Sequence, residues 1–274
     1  MKSKILFSDV DDTLVNKDKT ISEVNRKAIT KMLEQGHYFV AVTGKPIVVG
    51  RRVIRDLGLT MPGCYMVAFN GAVVYDCAAD RVLAERTLSL DIVREILEEA
   101  DLEGVHVQTY QKNHILTREH DEELDFYLDQ AKMEYKLVPD IFSCLEKEPN
   151  KVIAISIDGQ KPLVELKKNL LEKHPNLEKR CNCFFSKDEY LEFCPKDVNK
   201  GIGVKYLSEF LNIPFEDTVA VGDGRNDLSM IKTAKIGAAV QNAISDLKKE
   251  ADYVTVEDHE HGAVAEVIER FILS

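Results

Sequence analysis

Three carboxylates stand close together near the start of the chain, in Lys4-Ile5-Leu6-Phe7-Ser8-Asp9-Val10-Asp11-Asp12-Thr13-Leu14. Ile5, Leu6 and Phe7 form an apolar run of strand type. Side chains alternate along a strand, so the pattern puts Asp9 and Asp11 on one side and Asp12 on the other. Facing carboxylates repel unless something positive lies between them. Mg²⁺ is typically held by one or two carboxylates plus phosphate oxygens, so the stretch points to phosphate chemistry with a metal. A polar turn leaving a buried strand has the same composition and stays open on this stretch alone. A calcium-binding loop needs Gly at its sixth position and Glu at its twelfth. Counted from Asp9, those are Leu14 and Thr20, which excludes it.

Three further stretches carry complementary groups. Thr43-Gly44 offers a hydroxyl and backbone N–H groups at a strand-to-helix turn, where anions bind readily. Lys200 stands at a helix start and offers a compact positive charge. Gly222-Asp223-Gly224-Arg225-Asn226-Asp227 adds two carboxylates, with Asn226 as a neutral hydrogen-bonder. Together these supply a carboxylate able to take a phosphoryl group, a second able to move protons, and cations to balance the charge. Each alone has a plain structural role as a turn, a surface lysine or a helix cap. Gly222-x-Gly224 lacks the third glycine of a dinucleotide-binding turn and places acids where pyrophosphate would approach, which argues against a nucleotide.

The elements that must position these groups follow from periodicity. Val24, Ala28, Met32 and Leu33 form a helical stripe after a cap at Thr20 or Ser22, and Gly36 ends it. Tyr38–Val42 and Tyr65–Phe69 are near-continuous apolar runs, as expected of parallel strands covered on both faces, with a helix between them. This β-α-β-α-β order predicts an α/β fold with a doubly wound, mostly parallel, Rossmann-like sheet. From about Tyr75 to Tyr190 the segments are shorter and half-polar, which predicts an inserted α+β domain with antiparallel strands. The parallel pattern is expected to resume at Tyr190–Cys194 and to continue through a helix from Lys200, a strand over Thr218–Val221 and the closing elements. The predicted division is 1–80 with 190–274 as the core and 81–189 as the insertion.

Composition narrows the function classes. The 274-residue chain is 45% hydrophobic and 30% charged, with a net charge of −11. It does not invite a nucleic-acid backbone or an anionic membrane surface as partner. Met1-Lys2-Ser3-Lys4 runs into a strand without an apolar leader, and no apolar run approaches membrane-spanning length. Six scattered cysteines without metal-site spacing are read as reduced thiols of a cytoplasmic protein. The expected partner is a small phosphorylated metabolite, with no obligate protein partner evident. His259-x-His261 is read as a pair of surface histidines rather than a metal site.

The ordered set Asp9-Val10-Asp11-x-Thr13, Val42-Thr43-Gly44, Asn199-Lys200-Gly201 and Gly222-Asp223-Gly224-x-Asn226-Asp227 resembles the haloacid dehalogenase-like (HAD) hydrolase superfamily. The long insertion, Asn70-Gly71-Ala72 and Tyr190-Leu191-Glu192-Phe193 are similar to its Cof-type branch with a C2 cap, subclass IIB. The resemblance implies a Mg²⁺-dependent phosphatase of small phosphate monoesters, above all sugar phosphates, working through an aspartyl-phosphate. It implies Asp9 as nucleophile and metal ligand, and Asp11 as acid/base and ligand through its carbonyl. Asp223 would ligate Mg²⁺, with Asp227 supporting the metal shell or Lys200. Thr43 and Gly44 would hold phosphate, Lys200 would orient it, and Asn70 and Asn226 would lie near it. Alternatives are a phosphomannomutase-like phosphoryl transferase and a non-enzymatic phosphometabolite sensor. The sequence departs from the family's usual pattern at Asp12, where Gly is common, at Lys45, where Arg is usual, and at His261, where an acid is usual.

Overall fold

A computed structural model gives the fold for residues 2–274. Met1, part of the leader reading above, lies outside the described residues. In chain order the first elements are β1 (Ile5–Asp9), α1 (Glu23–Glu34), β2 (Tyr38–Val42), α2 (Ile47–Asp56), β3 (Cys64–Ala68), β4 (Val73–Asp76) and β5 (Arg81–Glu85). The middle of the chain forms α3 (Leu90–Glu103), β6 (His106–Gln111), β7 (His114–Thr117), α4 (Glu122–Ala131), β8 (Glu134–Leu137), β9 (Val152–Ile155), α5 (Gln160–Lys173), α6 (Leu177–Arg180), β10 (Cys181–Lys187) and β11 (Tyr190–Pro195). The last part holds α7 (Lys200–Phe210), β12 (Thr218–Gly222), α8 (Leu228–Thr233), β13 (Ile236–Ala239), α9 (Ser245–Glu250), β14 (Tyr253–Val254) and α10 (Ala263–Val267). The chain divides into two compact units, Met1–Ala84 with Asn199–Ser274, and Glu85–Val198.

The first unit carries an eight-stranded sheet of order β14-β13-β12-β1-β2-β3-β4-β5. From β14 to β3 every pairing is parallel, and β4 turns back antiparallel to β3. β1 is buried at every position, with Leu6 and Phe7 in the core beside Phe39, Val40, Val219 and Ala220. That explains its unbroken apolar run, because helices cover both faces of such a sheet. Ser22 rather than Thr20 caps α1, accepting from the Asn25 N–H. Strand order reverses at β1, and ligand crevices of open α/β sheets lie beyond the strand carboxyl ends at such a switch point. The register aligns those ends: Asp9 stands opposite Val42, and Ser8 opposite Val221. The chain therefore leaves β1, β2 and β12 side by side, just where the candidate acids and Thr43 stand.

The second unit is a six-stranded sheet of order β10-β11-β9-β6-β7-β8, antiparallel except for β7 with β8. Ile92, Ile96, Leu163 and Leu166 of α3 and α5 cluster with Val107, Val152, Ala154, Leu191 and Phe193 from the sheet. Among the residues outside that cluster, Lys151 and Glu192 form a buried ion pair at 3.1 Å. Ser186 Oγ donates to the same carboxylate at 2.7 Å, and Tyr110 O–H donates to Tyr127 O–H at 2.6 Å.

One expected strand lies elsewhere. Tyr190–Cys194 does not resume the parallel sheet; it is β11, antiparallel between β9 and β10. All six β11 residues are buried, so its composition matches that of a parallel strand covered on both faces. The second unit accordingly extends past residue 189 to Val198. At the other boundary, β4 and β5 belong to the first sheet.

Candidate active site

β1 ends at Asp9, and the next residues turn. Asp9 is almost fully buried, and Lys200 Nζ donates to its Oδ1 at 2.5 Å. Lys200 is the first residue of α7, placed there by the Asn199 cap, whose Oδ1 accepts from the Ile202 N–H. The same ammonium donates to Asp227 Oδ1, also at 2.5 Å. Asp227 is wholly buried, and its Oδ2 accepts the N–H groups of Asp223 and Gly224 at 3.0 and 2.9 Å. Gly222 makes that packing possible, since a Cβ there would lie 2.5 Å from the Asp227 Cβ. Thr13 Oγ1 donates to Asp223 Oδ1 at 2.9 Å.

Asp9, Asp223 and Asp227 each present an oxygen within 4.8 Å of the others. Burial pushes Asp9 well above the ordinary carboxylate range; Lys200 opposes the shift, and Asp227 and Asp223 add to it. Asp223 is pushed up to about 6 by burial and then by Asp227. Burial works against the Lys200 charge, but Asp227 and Asp9 outweigh it, so its pKa rises and it stays an ammonium. Three acids around one lysine form a cluster short of positive charge. A hard divalent cation fits that donor set, because its own charge would reverse the carboxylate shifts.

The Asp11 carboxylate is turned elsewhere. It is paired with Lys45, and Lys19 Nζ donates to its Oδ1 at 3.0 Å. Burial works to raise its pKa, but Lys45 and Lys19 win and hold it below the ordinary carboxylate value. The strand alternation that set Asp9 and Asp11 on one side cannot be carried past the strand end, so the Asp11 side chain is not among the clustered carboxylates. Asp12 is exposed with φ of +55°, the left-handed backbone that accounts for glycine being common at this position.

Thr43 is buried at the end of β2, and its Oγ1 accepts the Lys45 N–H at 3.1 Å. Gly44 faces the buried amide of Asn70, whose Oδ1 would stand 2.9 Å from a Cβ at position 44. Asn70 donates its backbone N–H to Thr43 O at 3.1 Å, so these three residues form one turn. Asn226, by contrast, is exposed. His261 is exposed and pairs with Asp258 at 2.6 Å, whereas His259 is buried, so the reading of two surface histidines fails for His259. Lys19 escaped the sequence reading altogether, since nothing in its spacing marks it as a partner of Asp11.

Among the described residues no helix is long and apolar enough to cross a membrane. Residues 6–268 match the family described as haloacid dehalogenase-like hydrolase. A haloacid dehalogenase-like hydrolase from Bacteroides thetaiotaomicron superposes with a TM-score of 0.88 at 28% identity, covering 98% of this chain and 99% of that one. The 5-amino-6-(5-phospho-D-ribitylamino)uracil phosphatase YitU of Bacillus subtilis is 28% identical over 276 residues, 99% of each chain. The HAD subclass IIB sugar phosphatase BT4131 shares the fold, with a TM-score of 0.77 at 20% identity over 98% of this chain and 99% of that one.

Proposed function

We infer the reaction from the premise that this chain belongs to the haloacid dehalogenase-like hydrolase family. It is a HAD-type phosphatase, and we propose that it hydrolyses small phosphate monoesters through an aspartyl-phosphate on Asp9. The observation that carries this reading is Lys200, buried between Asp9 and Asp227 at 2.5 Å from each. The lysine fixes the Asp9 carboxylate and supplies charge where a phosphoryl group would accept it. Asp9 and Asp223 would hold Mg²⁺ together with the Asp11 carbonyl, and Asp227 would orient Lys200 and the Asp223 turn. When bound, the ion supplies charge neutralisation to the phosphate.

The substrate phosphate lies against the Thr43–Gly44 turn with Asn70 behind it. Asp9 Oδ attacks phosphorus, the phosphorus–oxygen bond to the alcohol breaks, and Asp11 gives its proton to the leaving oxygen. Water then attacks the same phosphorus, Asp11 takes the water proton, and the bond to Asp9 breaks to release inorganic phosphate. Asp11 must be protonated for the first step, yet at rest Lys45 and Lys19 favour its anion. An arriving phosphate competes for Lys45, which lets Asp11 take up a proton more readily.

The phosphoribityl group named for the Bacillus relative supports substrates with a phosphorylated polyol or sugar chain. The test is phosphate release from a panel of sugar and polyol phosphates, with Mg²⁺ and with excess chelator. Metal-dependent release that Asp9→Asn abolishes, with the melting transition retained, is expected. Full activity in Asp9→Asn would remove Asp9 as nucleophile.

A further inference from the structure

The turn after β1 is held from outside by two asparagine side chains. Asn242, in the turn after β13, donates from Nδ2 to the Asp12 carbonyl at 2.8 Å. Its Oδ1 accepts the His259 N–H at 3.0 Å, from the loop after β14. Asn25, on α1, donates to the Leu14 carbonyl at 3.4 Å and accepts the Ala265 N–H at 2.8 Å. Thr13 lies between the two anchored carbonyls and donates to Asp223. Asp12 itself holds a φ of +55°, a conformation that side chains other than glycine adopt at a cost. The Asp12 backbone joins Asp11 to Thr13, so a rotation there would turn those two side chains relative to each other.

We propose that Asn242 is a positioning residue for this turn. It pins the Asp12 carbonyl, and so keeps Asp11 in place for proton transfer and Thr13 on Asp223. The proposal rests on the catalytic reading of Asp9 and Asp11 given above. Asn25 is fully buried, so its loss would also empty core space, whereas Asn242 is exposed and can be truncated without a cavity.

The test is a double-mutant cycle between Asn242→Ala and Asp12→Gly, reading kcat, KM and melting temperature on the full chain. Glycine takes a positive φ without strain, so the strain that Asn242 would hold in check is absent from a turn containing it. In the native background Asn242→Ala should lower kcat about tenfold, about 1.4 kcal/mol, with KM within about twofold and little change in melting. In the Asp12→Gly background the same change should cost less than about threefold. A native kcat in Asn242→Ala overturns the proposal. So does an equal loss in both backgrounds, which would mean that Asn242 does not act through Asp12. Either result is distinct from failure of the catalytic reading, which would show as Asp9→Asn remaining active.

Discussion

Asp223→Asn should make the metal-free protein more stable and the metal-loaded protein worse off. Asp223 is pushed up from 3.8 to about 6 because burial and the neighbouring Asp227 disfavour its charge. Between those two pH values the folded chain binds more protons than the unfolded chain, so stability falls as pH rises. Above about 6 the penalty is complete, and the gap corresponds to about 3 kcal/mol. Asparagine removes the charge and can still accept from Thr13 Oγ1. For a unit of this size the gain should be about 6 °C or more in melting temperature. In chelator at pH 8 the variant should therefore melt above the native chain, and below pH 4 the two should coincide. With saturating Mg²⁺ the native chain should gain about 2.7 kcal/mol at a hundredfold excess over Kd, while the variant, lacking one of the proposed ligands, should gain much less. Thermal melts across pH, each with chelator and with Mg²⁺, give all four numbers. A variant that melts below the native chain in chelator, or gains as much from Mg²⁺, refutes the reasoning.

Other perturbations follow from the same contacts. Lys200→Met leaves Asp9 and Asp227 buried without their shared cation; it should cost about 3–5 kcal/mol in chelator, read by urea midpoint. Its kcat should fall at least about 10²-fold even with Mg²⁺, since a preorganised charge is gone, and retained turnover would remove Lys200 from the chemistry. In the second unit, Lys151→Met should cost about 3–5 kcal/mol by leaving the Glu192 charge buried without its cation, whereas Lys151→Met with Glu192→Leu should recover most of it. Equal midpoints for the single and double variants would show the pair to be screened.

The parallel strands and the four ordered motifs were legible because they depend on local pattern: apolar runs that stop at acids or a hydroxyl, and a lysine at a helix start. The observed register brings the ends of β1, β2 and β12 together. Position within a second sheet was not legible. β11 is as apolar as a core strand, and only its pairing with β9 and β10 reveals where it belongs. The Asp11 side chain was misread in direction because alternation holds only inside a strand, and β1 stops at Asp9. Lys19 and Asn242 were invisible for a different reason. Each meets its partner through a turn or from another loop, where spacing carries no signal.

The pairing of β1 with β12 also governs how the molecule is made. Ile5 stands beside Thr218, so β1 waits for a strand that is made much later. The second unit lies wholly between them, and its strands β6 with β7 and β10 with β11 close over short loops. At ribosomal speeds of roughly 5–20 residues per second, the edge of β1 that will receive β12 stays unpaired for on the order of 10 s. During that interval the chain presents a buried-type apolar edge, the kind of surface on which chaperones act and chains aggregate. Lys200 and Asp223 lie late in the chain, so on the proposed mechanism hydrolytic activity would appear only when that wait ends.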